Sequence, residues 1–130
     1  MNPITPMSDP NTLTVLAVDD DALVLMSTCA MIEELGHTAL EAFSGKDALR
    51  ILEEVVDVDL VITDQAMPGM SGVELAQALN QQRPNLPIVI ATGYSDLPPG
   101  SPDYPMIAKP FGEKELARLI LKVLGARNNA

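Results

Sequence analysis

Four short apolar runs constrain this chain most: residues 13–18 (LTVLAV), 59–63 (DLVIT), 87–91 (PIVIA) and 106–108 (MIA). The first three are rich in branched side chains and too brief for helices, as strands buried on both faces of a parallel sheet are. The stretches between them read as helices. Residues 21–35 are helical in composition, with Gly36 as the stop, and 38–42 form a weak second strand. Ser44 starts a second helix with Asp47 as its capping-box partner and Ala48, Leu49 and Leu52 on its apolar side. A turn at Met67-Pro68-Gly69 leads into a third helix over 72–82. The last helix, over 113–124, has the clearest period, with Leu116, Leu119, Ile120, Val123 and Leu124 on one face. Strands alternating with helices predict a doubly wound α/β domain with helices on both faces of a five-stranded parallel sheet.

One domain is also what 130 residues suit. Residues 1–11 read as a flexible leader, 12–126 as the domain and 127–130 as a tail. A chain that starts at Met1 with its own leader is expected to stand alone. A net charge of −10 argues against nucleic acid and anionic membranes, and for a cation or a basic protein partner. No apolar run approaches the length of about 18 residues that spans a bilayer. The first residues, with Pro3, Pro6 and Pro10, have no basic start and no apolar core of a signal peptide. The single cysteine, Cys29, suits a reducing cytoplasm, which is the expected location.

Ligands of open parallel sheets bind beyond the carboxyl ends of the strands. The chemistry-bearing residues fall there: Asp19 and Asp20 after the first strand, Asp64 after the third, Thr92 after the fourth and Lys109 after the fifth. Three carboxylates crowded together repel one another unless something positive sits among them. Mg²⁺, or Mn²⁺ in its place, takes such hard oxygen ligands. With Lys109 and the Thr92 hydroxyl added, the group suits a phosphoryl oxygen set. There is no G-x-x-x-x-G-K-[ST] nucleotide loop, so the phosphate comes from elsewhere, and a carboxylate nucleophile can accept it.

The blocks L-A-V-D-D-D, V-I-T-D-Q-A-M-P-G-M-S-G, I-A-T-G-Y and A-K-P-F, in this order, resemble the signature blocks of the receiver domains of two-component response regulators. The resemblance covers roughly residues 13–125 and implies the flavodoxin-like strand order 2-1-3-4-5. It makes Asp64 the phosphoacceptor. It gives Mg²⁺ the carboxylates of Asp20 and Asp64 and the main-chain carbonyl of Ala66, with Asp19 helping through water. Lys109 would pair with the phosphoryl oxygens, Thr92 would hydrogen-bond them, and the Lys109–Pro110 peptide would be cis. The implied protein is a signalling switch rather than a dedicated enzyme, with weak self-catalysed phosphoryl transfer and autodephosphorylation. Its implied partners are a histidine kinase or histidine phosphotransfer protein and a downstream protein.

Two departures stand out. Met106 occupies the position where receivers often carry a switch aromatic. The segment between Thr92 and Lys109 is short and holds Pro98, Pro99, Gly100, Pro102 and Pro105, so the fourth helix of the family is expected to be short or absent. Tyr94 is placed to shade the site. These departures keep open a phosphorylation-independent receiver-like interaction domain. An aspartate-nucleophile phosphatase of another α/β family would need a second Asp where Ala66 stands. His37 reads as a surface residue, and Met26 and Cys29 as core filler.

Overall fold

The computed structural model describes residues 12–55, 57–93 and 104–128. Its elements follow in the order β1 (Thr14–Val18), α1 (Ala22–Glu34), β2 (Thr38–Ala42), α2 (Gly45–Glu54), β3 (Leu60–Asp64), α3 (Gly72–Gln82), β4 (Ile88–Thr92), β5 (Met106–Ala108) and α4 (Glu113–Asn128). The five strands form one parallel sheet in the order β2-β1-β3-β4-β5, as expected. The Pro-rich stretch expected to replace the family's fourth helix, and Tyr94, lie outside the described residues apart from Tyr104 and Pro105, which precede β5 as irregular chain.

Alternating side chains of the central strands feed two separate cores. Val15 and Ala17 of β1, Ile62 of β3 and Val89 of β4 pack with Leu25, Cys29 and Ile32 of α1 and Leu116, Ile120 and Val123 of α4. Leu16, Val18, Val61 and Ile88 pack on the other face with Ala48 and Leu52 of α2 and Leu75, Ala76 and Leu79 of α3. This two-sided burial is why β1, β3 and β4 read as continuous apolar runs.

Helix ends follow their caps. Asp21 stands before α1 and accepts from the N–H groups of Leu23 and Val24. Ser44 accepts from Asp47 N at the start of α2, but the Asp47 carboxylate reaches past the cap to Phe43 N, so the box is not reciprocal there. The complete capping box belongs to α3, between Ser71 and Glu74. The Arg83 guanidinium donates to the Leu52 and Val55 carbonyls and ties the exit of α3 to the end of α2.

Three local readings change. Met26 is not core: it is 61% exposed, because it lies one residue, or about 100°, beyond the inward face that carries Leu25, Cys29 and Ile32. His37 is half-buried, and its Nδ1 accepts the Leu13 N–H at 2.9 Å, where β1 begins. The last helix continues to Asn128, past the last residue of its apolar period.

Candidate functional site

Hydrogen bonds that prolong the sheet ladders set the height of the site. Asp19 N donates to Ala42 O (3.1 Å), Gln65 N to Ala91 O (3.2 Å) and Lys109 N to Thr92 O (2.9 Å), each one residue past the end of its own strand. Asp64 and Thr92 are themselves the last residues of β3 and β4, one position later than the apolar pattern ended them. The expected residues therefore stand along one edge of the sheet, at the carboxyl ends of β1, β3, β4 and β5.

They converge unevenly. Lys109 Nζ donates to Asp64 Oδ1 at 2.8 Å and to Asp19 Oδ2 at 3.3 Å. Asp19, Asp20 and Asp64 each bring a carboxylate oxygen within 4.8 Å of the others. Asp19 and Asp64 are buried, while Asp20 is exposed at the mouth. Asp19 Oδ1 also accepts the Asp21 N–H at 2.9 Å, which fixes the turn from β1 into α1. Thr92 is buried at the end of β4, and Ala66 is exposed on the loop after β3. The Lys109–Pro110 peptide is cis.

Burial is the largest influence on Asp64 and pushes its carboxyl above the ordinary value, against the pull of the Lys109 ammonium. Burial alone would lower Lys109, but its hydrogen bond and attraction to Asp64, with Asp19 adding, leave it raised.

The loop from β3 to α3 has little slack. Gly69 has φ +81°, a left-handed turn that suits glycine. At Gly72 a Cβ would lie 2.5 Å from the Asp64 carbonyl oxygen, so only glycine lets α3 begin flush against β3. Sequence reasoning missed three contributors. Thr28 and Phe111 line the small cavity shared by Asp19, Asp64 and Lys109. Gln65 is buried between Asp64 and Ala66. Thr28 was legible, since it lies three residues after Leu25 and four before Ile32 on the inward face of α1.

The profile of the response regulator receiver domain family matches residues 15–121, and the chain belongs to that family, the phosphorylation-linked receivers of two-component signalling. It is 33% identical over 117 residues to the sensor kinase CckA of Brucella abortus, covering 85% of this chain and 12% of that protein. It is 30% identical over 130 residues to the transcriptional regulatory protein FixJ of Azorhizobium caulinodans, covering 89% of this chain and 57% of FixJ. The chain thus spans only part of the length of these curated relatives. Among solved structures, the signal receiver domain of an HD domain-containing protein from Pseudomonas fluorescens superposes with a TM-score of 0.81 at 26% identity, over 92% of this chain and 99% of that one. A response regulator receiver protein from Sinorhizobium medicae gives 0.78 at 28% identity, over 89% and 97%.

Proposed function

We propose that Asp64 accepts a phosphoryl group from a phosphohistidine, on a sensor kinase or a histidine phosphotransfer protein, and that the phosphorylated domain changes its affinity for a downstream protein. The observation that carries this reading is the cluster of the Asp19, Asp20 and Asp64 carboxylates, two of which, Asp19 and Asp64, meet the Lys109 ammonium. Three carboxylates against one ammonium leave two negative charges unbalanced, and all the donors are hard oxygens, so the set fits Mg²⁺. Asp19, Asp20 and Asp64, with the Ala66 carbonyl, would hold it. When bound it neutralises charge on the incoming phosphoryl oxygens.

The chain's own residues do the rest. A carboxylate oxygen of Asp64 bonds to phosphorus as the P–N bond to the donor imidazole breaks. The imidazole nitrogen leaves with that electron pair; the ring is neutral where its other nitrogen already carries a proton, and otherwise takes one from water. Lys109 turns its ammonium from the Asp64 carboxylate to a phosphoryl oxygen, and the Thr92 hydroxyl donates to another. Water attack on phosphorus later releases inorganic phosphate and restores the carboxylate. The names of sensor kinases among the relatives support a kinase as the donor. No helix among the described residues is long and apolar enough to cross a membrane, and the free, buried Cys29 agrees with a cytoplasmic setting.

A second reading, an interaction domain that no longer depends on phosphorylation, is favoured by Met106, which is 52% exposed on β5. Intact-mass measurement after incubation with acetyl phosphate and Mg²⁺ separates the two. The proposal expects one phosphoryl group on the wild type and none on Asp64→Asn. Equal labelling of the variant would sink the assignment, and an unlabelled wild type would favour the second reading.

A further inference from the structure

We infer that Gln65 is a positioning residue for the metal centre, holding the main chain between Asp64 and Ala66 by accepting the first two N–H groups of α3. The inference rests on the reading above that Asp64 and Ala66 are ligands.

The first N–H groups of a helix have no partner within it and must find one elsewhere. In α3 the Gly72 N–H donates to Gln65 O at 3.0 Å, and the Val73 N–H to Gln65 Oε1 at 2.9 Å. The Glu74 N–H donates to Ser71 Oγ at 3.2 Å. One residue, Gln65, therefore serves two of these donors, through its main chain and its side chain. Its carbonyl also takes the Met67 N–H at 3.1 Å. The chain from Gln65 to Val73 is in effect a closed ring, pinned at its strand end by Gln65 N on Ala91 O.

That ring cannot relax in place. Gln65 is 6% exposed and Val73 is buried, so water does not replace a lost acceptor. The helix start already abuts the strand end, since a Cβ on Gly72 would lie 2.5 Å from Asp64 O and 3.0 Å from the Gln65 Cα. A side chain without an acceptor at 65 leaves the Val73 N–H orphaned. The remaining relief is to tilt α3 or shift the loop, and either one moves the Ala66 carbonyl relative to the Asp64 carboxylate. Gln65 itself offers the metal nothing: its side-chain oxygen is turned to α3.

The test is a Mg²⁺ titration followed by amide chemical shifts, on the wild type and four variants. Gln65→Met keeps the length and removes the acceptor, and its affinity is expected to fall about tenfold. Gln65→Glu keeps an acceptor for Val73 and should bind at least as tightly as the wild type. Ser71→Ala removes the neighbouring cap on Glu74 but none of the bonds to Gln65, and should stay close to wild type. Should Gln65→Met fail to fold, Gln65→Asn, one carbon too short to reach Val73, is read in its place. Wild-type affinity in the Met or Asn variant overturns the inference. So does an equal loss in Ser71→Ala, which would mean a generally loosened helix end, or an equal loss in Gln65→Glu. Asp64→Asn, the fourth variant, separates the two levels. If it too retains wild-type affinity, the metal-centre reading falls. If it loses affinity while Gln65→Met does not, only the role of Gln65 falls.

Discussion

Lys109 Nζ lies 2.8 Å from Asp64 Oδ1, although 45 positions separate the two residues in the chain. The ammonium sits where a second buried carboxylate, Asp19, can also reach it, at 3.3 Å. One ammonium thus meets two buried carboxylates. Burial nevertheless outweighs it at Asp64, whose carboxyl stays above its ordinary value of 3.8.

The sign of that shift sets a pH dependence in metal-free buffer. A carboxyl raised in the folded state contributes stability that is fully present below the unfolded value, near 3.8, and is lost as pH rises through the folded value. Asp64→Asn removes this loss. Urea unfolding in chelator is expected to find Asp64→Asn more stable than the wild type at pH 7, with the gap closing toward pH 3. A wild type that is the more stable of the two at pH 7 would contradict the balance described here.

Added Mg²⁺ should reverse the deficit, because a ligand bound only by the folded state stabilises it by mass action. With Mg²⁺ at about ten times its dissociation constant the gain is about 1.4 kcal/mol. Asp20→Asn, which takes one exposed carboxylate from the mouth of the cluster, should need more Mg²⁺ for the same gain. Thermal melts across a Mg²⁺ series check both, and identical curves for the two proteins would remove Asp20 from the ligand set.

Gly72→Ala should destabilise the fold by about 1–3 kcal/mol, the usual cost of forcing a methyl into a packed site. The added Cβ meets main-chain atoms of Asp64 and Gln65, which cannot swing aside. Gly125→Ala on α4, where the Cβ has open space, should be neutral or slightly stabilising. Urea midpoints that rank the two in the opposite order would refute the close approach.

Cys29 should react slowly in the native protein. Burial first, then the charges of Glu41 and Glu33, push its thiol up to about 11, so the nucleophilic thiolate is scarce at pH 8. Labelling by a maleimide at pH 8 is expected to be far slower than in urea-unfolded chain. Comparable rates would mean that α1 opens readily.

Much of this architecture was legible because period and punctuation agree. β1, β3 and β4 are apolar on both faces, α4 repeats at 3.6 residues, and the turn at Met67-Pro68-Gly69 marks the start of α3. The reciprocal capping box at Ser71 and Glu74, by contrast, went unread, and the one read at Ser44 is incomplete. The strand-end residues followed from topology, since a parallel sheet presents its carboxyl ends to one side. What escaped were roles set by tertiary neighbours. Met26 looks like core in a helix that is apolar on most sides, and only packing shows which face turns inward. His37 looks solvent-borne beside Gly36, yet the strand entry needs an acceptor for Leu13 N, and the imidazole provides it. Gln65 has no motif of its own. Its meaning comes from the N–H groups of a helix that begins seven residues later, at Gly72.

The place of β5 at the sheet edge bears on how the protein is made. Asp19 and Asp20, just past β1, and Asp64, at the end of β3, are translated before Lys109, which follows a three-residue strand that pairs only with β4. Domains generally fold as units during synthesis. A polypeptide emerging as far as Thr92 would carry the acidic residues with no ammonium among them. A domain of this size folds as a unit, so the carboxylates and the Lys109 ammonium come together in one step, once β5 and α4 have been made. A truncated product holding only β1 to β4 would lack the ammonium that meets Asp19 and Asp64, and with it the helix that covers one face of the sheet.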